Sequence, residues 1–194
     1  PGLPADLAAA GVDMLAHTPY LVWQGSPRST DFPARARGDF RGVPADSPVI
    51  ERLLNSMKAH GTALNPTLWV FDMQGADSVG KVRTPWMNAV THRAHQIGVR
   101  IVAGTDGLYE PRRDSLPTLH REMELLVTGA QLTPLEALTA ATRNAAWAAG
   151  LDATTGTLAV GMNADLVLLT ADPSADIRNT RAIRAVIQDG RVVR

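Results

Sequence analysis

The sequence contains no cysteine among its 194 residues. The chain therefore forms no disulfide and offers no thiolate ligand to a metal ion. Any metal bound here must be held by histidine, carboxylate or water, a ligand set that suits borderline or hard divalent cations.

Net charge and long apolar runs are also lacking. Nineteen basic residues balance nineteen acidic ones, so no net field draws the protein toward nucleic acid or an anionic membrane. No apolar run approaches the roughly 20 residues needed to span a bilayer. We therefore expect neither nucleic acid nor a membrane as a partner. The first residue is Pro1, and any leader would precede it, so localisation stays open. A homo-oligomeric state also stays open.

What is present is ordinary globular composition, 45% hydrophobic and 20% charged, enough for one domain or a domain with an appendage. Strand-like and helix-like segments alternate along the first 150 residues, which predicts a parallel α/β sheet or barrel. The predicted strands are 12–16, 62–69 and 99–103, with Pro66 at or just beyond the end of the second. The predicted helices are 3–10, 46–61, 86–97, one from near residue 115 and one from Thr133. Residues 19–45 are predicted to form a long loop.

The last forty residues change character and indicate a small β unit. Strands are predicted at 165–169 and 185–188, and Asp189-Gly190 is a two-residue hairpin turn into 191–193. We therefore predict two regions, 1–150 and 151–194.

Reactive side chains follow two of the predicted strands. His17 follows the first, and Asp106 follows the third between Gly104 and Gly107. In a (β/α)₈ barrel the carboxyl ends of the strands build the active face. Both residues are good ligands for a divalent metal, and an aspartate beside metal-activated water can accept its proton. Taken singly, His17 could equally be a cap or wall residue, and Asp106 a turn residue.

The other histidines carry weaker signals. His92 and His95 lie three apart on a helix expected at the outside, where exposed side chains or caps are the better interpretation. His60 lies at a helix C-terminus, where positive charge is favoured for structural reasons. His120 lies in a helix soon after the Asp106 loop and is kept as a candidate substrate contact.

Several segments together resemble the C-terminal portion of metal-dependent amidohydrolases related to imidazolonepropionase and prolidase. Residues 11–17 (GVDMLAH), 65–68 (NPTL) and 99–107 (VRIVAGTDG) resemble the sixth, seventh and eighth barrel strands. The most distinctive match is 132–146 (LTPLEALTAATRNAA), followed by 156–168 (GTLAVGMNADLVL), which resembles the return into a small β-sandwich.

The resemblance implies a fold, a reaction and roles for two residues. The fold would be a partial (β/α)₈ TIM barrel of about three strand–helix units over 1–150, with C-terminal strands of a composite β-sandwich over 151–194. The reaction would be hydrolysis of a C–N bond in a small-molecule or peptide amide. The cofactor would be a divalent metal, zinc by preference, with one or two ions in the intact enzyme. Asp106 would be a metal ligand and the catalytic base, and His17 a ligand or substrate-polarising group. Asp165 would be structural.

The sequence departs from that family in a substantial way. The family carries a His-x-His pair on the first strand, a lysine or glutamate on the fourth and a histidine on the fifth. No His-x-His occurs in this chain, which corresponds to the sixth strand onward. Two protein ligands remain, whereas catalytic zinc sites usually supply three. We therefore expect this chain alone not to hold a catalytic metal tightly. The alternative is a non-catalytic structural half.

Overall fold

A computed structural model describes residues 2–26, 38–73, 79–107 and 116–193 of the chain. Within those ranges the chain forms seven α-helices, two 3₁₀ helices and five strands, and the last three strands form the tail. The helices are α1 (Pro4–Ala9), α2 (Pro48–His60), α3 (Leu68–Met73), α4 (Gly80–Ile97), α5 (Leu119–Thr128), α6 (Pro134–Ala141) and α7 (Arg143–Ala148). The strands are β1 (Met14–Ala16), β2 (Ala63–Asn65), β3 (Leu166–Leu169), β4 (Ile183–Gln188) and β5 (Arg191–Val192). The 3₁₀ helices are Thr18–Gln24 and Ile177–Arg181.

The first region contains parallel strand pairing, as the sequence predicted. Strands β1 and β2 run parallel in the register Ala16 opposite Asn65. The predicted third strand contributes a single parallel bridge from Ile101 to Leu64. Leu64 secures it, since its N–H donates to the Arg100 carbonyl and its carbonyl accepts from Val102 N–H. The three segments therefore point the same way, and their carboxyl ends lie at one edge.

The outer side of this third segment bonds to helices rather than to another strand. Ala103 N–H donates to the Ala140 carbonyl at 3.0 Å. The side-chain amide of Asn144 donates to the Ile101 carbonyl at 2.8 Å. These bonds satisfy part of an edge that a parallel sheet would otherwise leave open.

Helices α2 and α4 supply much of the apolar core. Helix α2 begins at Pro48, a residue whose missing N–H costs nothing at that position, and ends at Gly61 with φ +72°. Its buried face is Ile50, Leu53, Leu54 and Met57. Helix α4 buries Trp86, Met87, Val90 and Ala94. The spacing of three and four residues is that of one helix face packed on the sheet.

Three predicted boundaries were wrong. The second strand ends at Asn65 and not at residue 69, because Pro66 lacks a ladder donor and helix α3 starts at Leu68. The predicted loop 19–45 begins inside a 3₁₀ helix whose Leu21 and Val22 are buried; its residues 27–37 lie outside the described residues. Helix α4 begins at Gly80, upstream of the predicted start at 86.

The helix predicted from Thr133 is confirmed with its capping box. Thr133 Oγ1 accepts from Glu136 N–H at 3.3 Å, and Glu136 Oε2 accepts from Thr133 N–H at 2.7 Å. The helix stops at Ala141, because Thr142 takes φ −120° and ψ −85°, and α7 follows. The start of the helix predicted near residue 115 falls outside the described residues, and α5 runs from Leu119.

The tail is an antiparallel sheet in the order β3-β4-β5, which contains the predicted strands and the predicted hairpin. Asp189 and Gly190 both take positive φ, +48° and +74°, the backbone of the tight hairpin expected there. The tail contacts the first region through the second 3₁₀ helix, where Arg181 donates to Glu124 at 2.6 Å. Large apolar side chains of the tail stay exposed, namely Leu158, Val160, Val167, Leu168, Val192 and Val193.

In the part of the chain that the structure describes, no helix is both long enough and apolar enough to cross a membrane.

We expect Leu54→Ala to lower the free energy of unfolding by about 2–5 kcal/mol, because it removes a fully buried side chain from α2 and leaves a cavity. Leu135→Ala is the matched control, since Leu135 is 61% exposed, and we expect a change within about 0.5 kcal/mol. Urea unfolding followed by far-UV circular dichroism measures both. Equal effects would contradict the placement of α2 against the core.

Candidate active site at the ends of the parallel strands

Three residues with unusual backbone conformation follow the three parallel segments. His17, Thr67 and Asp106 have φ of +68°, +53° and +50°. This left-handed region is costly for residues other than glycine, and such residues cluster at functional sites when the surrounding structure holds them there. Their coincidence at one sheet edge therefore marks a candidate site.

The structure brings His17 and Asp106 together. His17 Nε2 lies 3.9 Å from Asp106 Oδ2, and their side chains are 25% and 59% exposed. That separation is longer than a hydrogen bond, so a third atom fits between the two groups. The Asp106 side chain is therefore exposed to solvent, and the His17 side chain is partly exposed.

The contacts of His17 indicate which ring nitrogen carries the proton. Thr67 Oγ1 donates its one hydrogen to the Pro66 carbonyl at 2.7 Å. His17 Nδ1 lies 2.9 Å from the same oxygen. With the Thr67 hydrogen directed to Pro66, the tautomer that fits this contact carries its proton on Nδ1 and presents the Nε2 lone pair toward Asp106. Such a bond to the second ring nitrogen is the usual way in which a ligating histidine is oriented.

Glycines allow close packing around Asp106. A Cβ atom on Gly107 would lie 1.9 Å from Trp69 Cζ3, so only glycine lets this indole pack against the backbone there. A Cβ on Gly104 would lie 2.4 Å from Asn65 Nδ2. Asn65 Oδ1 is buried and has no hydrogen-bond partner among the described residues. The side chains of Asn65 and Trp69 thus occupy the space beside these two glycines.

An aromatic cluster forms one wall of the site. The Tyr20 and Phe71 rings meet the His17 ring edge-on at centroid distances of 5.2 and 5.8 Å. Trp23 stacks on Tyr20 at 4.5 Å. Such contacts restrict the imidazole plane and give the site an apolar side beside its two polar groups.

Glu122 is a residue of this region that the sequence analysis missed. Its side chain in α5 is fully buried. Its two carboxylate oxygens accept the backbone N–H groups of Leu68 at 3.0 Å and Trp69 at 2.7 Å. Burial raises the pKa of Glu122 to about 7, although these two hydrogen bonds act to lower it. The available signal was its position, since Glu122 falls on the same apolar helix face as Leu119 and Leu126.

The remaining histidines make other contacts. His120 Nδ1 lies 3.0 Å from Thr180 Oγ1 in the second 3₁₀ helix, and its role toward a substrate stays a prediction. His60 Nδ1 contacts the Ser56 carbonyl at 2.8 Å and His92 Nδ1 the Ala130 carbonyl at 3.0 Å. His95 pairs with Glu136 at 2.9 Å. These last three agree with a structural interpretation.

The donor set at the strand ends suits part of a metal site. Metal–ligand bonds of about 2.0–2.2 Å to nitrogen and oxygen let one ion span two ligand atoms up to about 4.3 Å apart, and His17 Nε2 and Asp106 Oδ2 lie within that range. Among residues 2–26, 38–73, 79–107 and 116–193, no three His, Cys, Asp or Glu side chains group closely enough to hold a metal ion. The described residues therefore bring together two candidate ligands and no group of three.

Comparison with known sequences identifies the family. Residues 42–193 match the sequence pattern of the amidohydrolase family. An imidazolonepropionase of Ralstonia nicotianae is 41% identical over 98 residues, which are 49% of this chain and 24% of that protein. An imidazolonepropionase of Herpetosiphon aurantiacus is 48% identical over 67 residues, 33% of this chain and 16% of that protein. The chain belongs to the amidohydrolase family.

Solved structures show the same fold. A putative prolidase from Bifidobacterium longum superposes with a TM-score of 0.63 at 30% identity, over 98% of this chain and 44% of that one. A Xaa-Pro dipeptidase with bound methionine in its active site gives a TM-score of 0.70 at 19% identity, over 97% of this chain and 41% of that one. The chain thus shares a mixed α/β fold with less than half of each structure and spans about a quarter or less of the curated relatives named above.

We expect the chemical shift of the Trp69 backbone amide to report the ionisation of Glu122, because the Trp69 N–H donates a hydrogen bond to the Glu122 carboxylate. Its ¹H chemical shift should change with pH with a midpoint at about 7, where burial places the pKa of Glu122, and not at the ordinary carboxyl value of 4.5. NMR titration of ¹⁵N-labelled protein measures it. A midpoint near the ordinary value would contradict this account.

The same pKa sets the sign of a stability change. Because the folded state binds this proton more tightly than the unfolded chain, the favourable contribution of Glu122 is fully present below pH 4.5 and is lost as the pH rises through about 7. The free energy of unfolding of Glu122→Gln should lack this pH-dependent contribution, because the glutamine amide does not titrate between pH 4.5 and about 7.

Proposed function

We propose that this chain is the C-terminal part of a metal-dependent hydrolase that cleaves C–N bonds in amides, peptides or cyclic amides. In this proposal residues 1–150 supply about three strand–helix units of a (β/α)₈ barrel, and 151–194 supply strands of a small β-sandwich. Support comes from the parallel β1–β2–Ile101 arrangement, the separate antiparallel tail and the amidohydrolase match over residues 42–193.

The observation that carries the proposal is the meeting of His17 and Asp106. Two groups that are 89 positions apart in sequence (106 − 17) approach to 3.9 Å at the carboxyl edge of the sheet. Active sites of barrel enzymes lie at that edge. The two groups are not closed into a direct hydrogen bond, and the Asp106 side chain is 59% exposed.

Each of the two residues has a definite role in the proposed reaction. Asp106 accepts a proton from the attacking water at a carboxylate oxygen and delivers it to the departing amine nitrogen. His17 presents the Nε2 lone pair as a ligand, its ring fixed by the Nδ1–H bond to Thr67. The Tyr20, Trp23 and Phe71 rings limit the access of bulk water to the His17 side of the site.

A divalent metal at this position, zinc by preference and one or two ions per intact enzyme, would supply Lewis acidity and lower the pKa of water. His17 and Asp106 would hold it from this chain. The other ligands would come from residues beyond those that meet here, because catalytic zinc sites usually supply three protein ligands.

The relatives support a substrate class. Imidazolonepropionases are among the sequence matches, and a Xaa-Pro dipeptidase and a putative prolidase are among the structural neighbours. We therefore propose a small-molecule or peptide amide as substrate. His120, whose Nδ1 lies 3.0 Å from Thr180 Oγ1, remains a candidate substrate contact.

The second candidate function is a structural half that has no catalysis of its own. Two observations favour it: the described residues provide no group of three metal-ligand side chains, and the tail exposes large apolar residues. Size-exclusion chromatography with metal analysis of this 194-residue polypeptide separates the two. A soluble, metal-loaded and active monomer would refute our view that its site is incomplete.

In the protein extended upstream of Pro1, we expect Asp106→Asn to lower kcat by at least about 10²-fold, because the amide cannot accept a proton. Circular dichroism should show the fold unchanged. The unsubstituted extended protein should bind about one or two divalent ions per chain, measured by inductively coupled plasma mass spectrometry.

The control for that experiment is Asp152→Asn, the same chemical change at an exposed position, which should leave kcat unchanged. Undiminished turnover in Asp106→Asn would remove Asp106 from the catalytic role.

A further inference from the structure

We propose that Glu122 is a positioning residue that sets both halves of the candidate site, fixing the His17 imidazole through Thr67 and the Asp106 backbone through Trp69. The inference deepens the proposed function and rests on it for its catalytic meaning. The contacts that support it all lie within this chain.

The first step is the anchor itself. The Glu122 side chain is fully buried, and each of its oxygens accepts one backbone N–H, from Leu68 and Trp69. These are the first two N–H groups of α3, which have no carbonyl partner within the helix. Hydrogen bonds to an ionised acceptor are about twice as strong as neutral ones. Glu122 thereby fixes the point at which the chain turns from β2 into α3.

The second step leads to His17. Thr67 immediately precedes Leu68 and takes φ +53°, a conformation that its neighbours must hold because a β-branched residue avoids it. Its hydroxyl donates to the Pro66 carbonyl and lies 2.9 Å from His17 Nδ1. A change at the Leu68 N–H would therefore move the oxygen that faces His17 Nδ1, and with it the preference for the Nδ1–H tautomer.

The third step leads to Asp106. The Trp69 indole packs on Gly107, where a Cβ would lie 1.9 Å from Cζ3. Gly107 directly follows Asp106, which has φ +50°. The Trp69 N–H forms the shorter of the two hydrogen bonds to Glu122, at 2.7 Å. Trp69 therefore links the Glu122 carboxylate, through its backbone, to the Asp106 turn, through its indole.

The chemistry of the side chain supports a carboxylate at this place. Both partners are donors, and a carboxylate is an acceptor only. A glutamine would turn its NH₂ group toward one of the two N–H groups and leave that donor unsatisfied. An apolar residue would suit the buried face of α5 but would leave both donors unsatisfied. A glutamate is retained here although its burial is costly, which fits a role in fixing the backbone.

The test is the tautomer of His17 in this polypeptide, read by long-range ¹H–¹⁵N correlation of the imidazole at about pH 9, where an ordinary histidine is neutral. The His17 signals are assigned by their loss in His17→Gln. Wild type should show Nδ1–H as the dominant form. Glu122→Gln should shift the ring to a mixture in which Nε2–H rises at least about threefold, because the Thr67 oxygen is displaced.

Glu124→Gln is the matched control. Glu124 lies two positions along α5, and its carboxylate binds Arg181 and Arg121 instead of the β2–α3 turn. Its substitution removes charge from the same helix and should lower stability, yet should leave the His17 tautomer as in wild type. A tautomer change in both variants would mean a general loosening of α5 and would overturn the proposal.

Two further outcomes are decisive. A folded Glu122→Gln with the wild-type tautomer overturns the proposal. If Glu122→Gln does not fold, Glu122→Asp is used, which keeps an acceptor for one N–H; an intermediate tautomer ratio supports the proposal, and an unchanged ratio overturns it. The tautomer is read without turnover, so failure of the proposed function appears in Asp106→Asn kinetics and failure of the positioning role appears here.

Discussion

The parallel pairing around β2 is the constraint on which the rest of the structure depends. Ala16 lies opposite Asn65, and Leu64 bonds to the segment around Ile101 from its other side. Parallel strands with this register end at one edge, so the residues that follow them converge there whatever their separation in sequence. The approach of His17 to Asp106 is a consequence of that register.

The neighbourhood of those two residues is held by atoms that take no part in the proposed chemistry. Thr67 directs the imidazole, Trp69 packs on the glycine beside Asp106, and the Glu122 carboxylate holds the backbone that carries both. Three strained φ angles persist at one edge because these contacts outweigh their local cost. The candidate site is therefore a feature of the β2–α3 turn as much as of the two residues at its centre.

Periodicity and capping signals predicted the order of elements well. Pro48 and Gly61 delimit α2, the Thr133–Glu136 capping box starts α6, and the Asp189-Gly190 turn joins β4 to β5. The errors fell where long-range contacts decide. A strand prediction through residue 69 follows from local propensity, whereas the structure begins α3 at Leu68 because Glu122, 53 positions downstream of Trp69, satisfies its first donors.

The sequence by itself predicted most of the long helices, the antiparallel tail strands and the residues that follow the first and third strand segments, because backbone propensity, capping and the family's motifs are local properties. The resemblance singled out Asp106 and His17, and their assignment to catalysis and metal binding stays a prediction. Only the tertiary structure decided their 3.9 Å separation, the contact of His17 Nδ1 with Thr67 and the hydrogen bonds of Glu122. Those depend on hydrogen bonds and packing between residues about fifty or more positions apart, which no local pattern records.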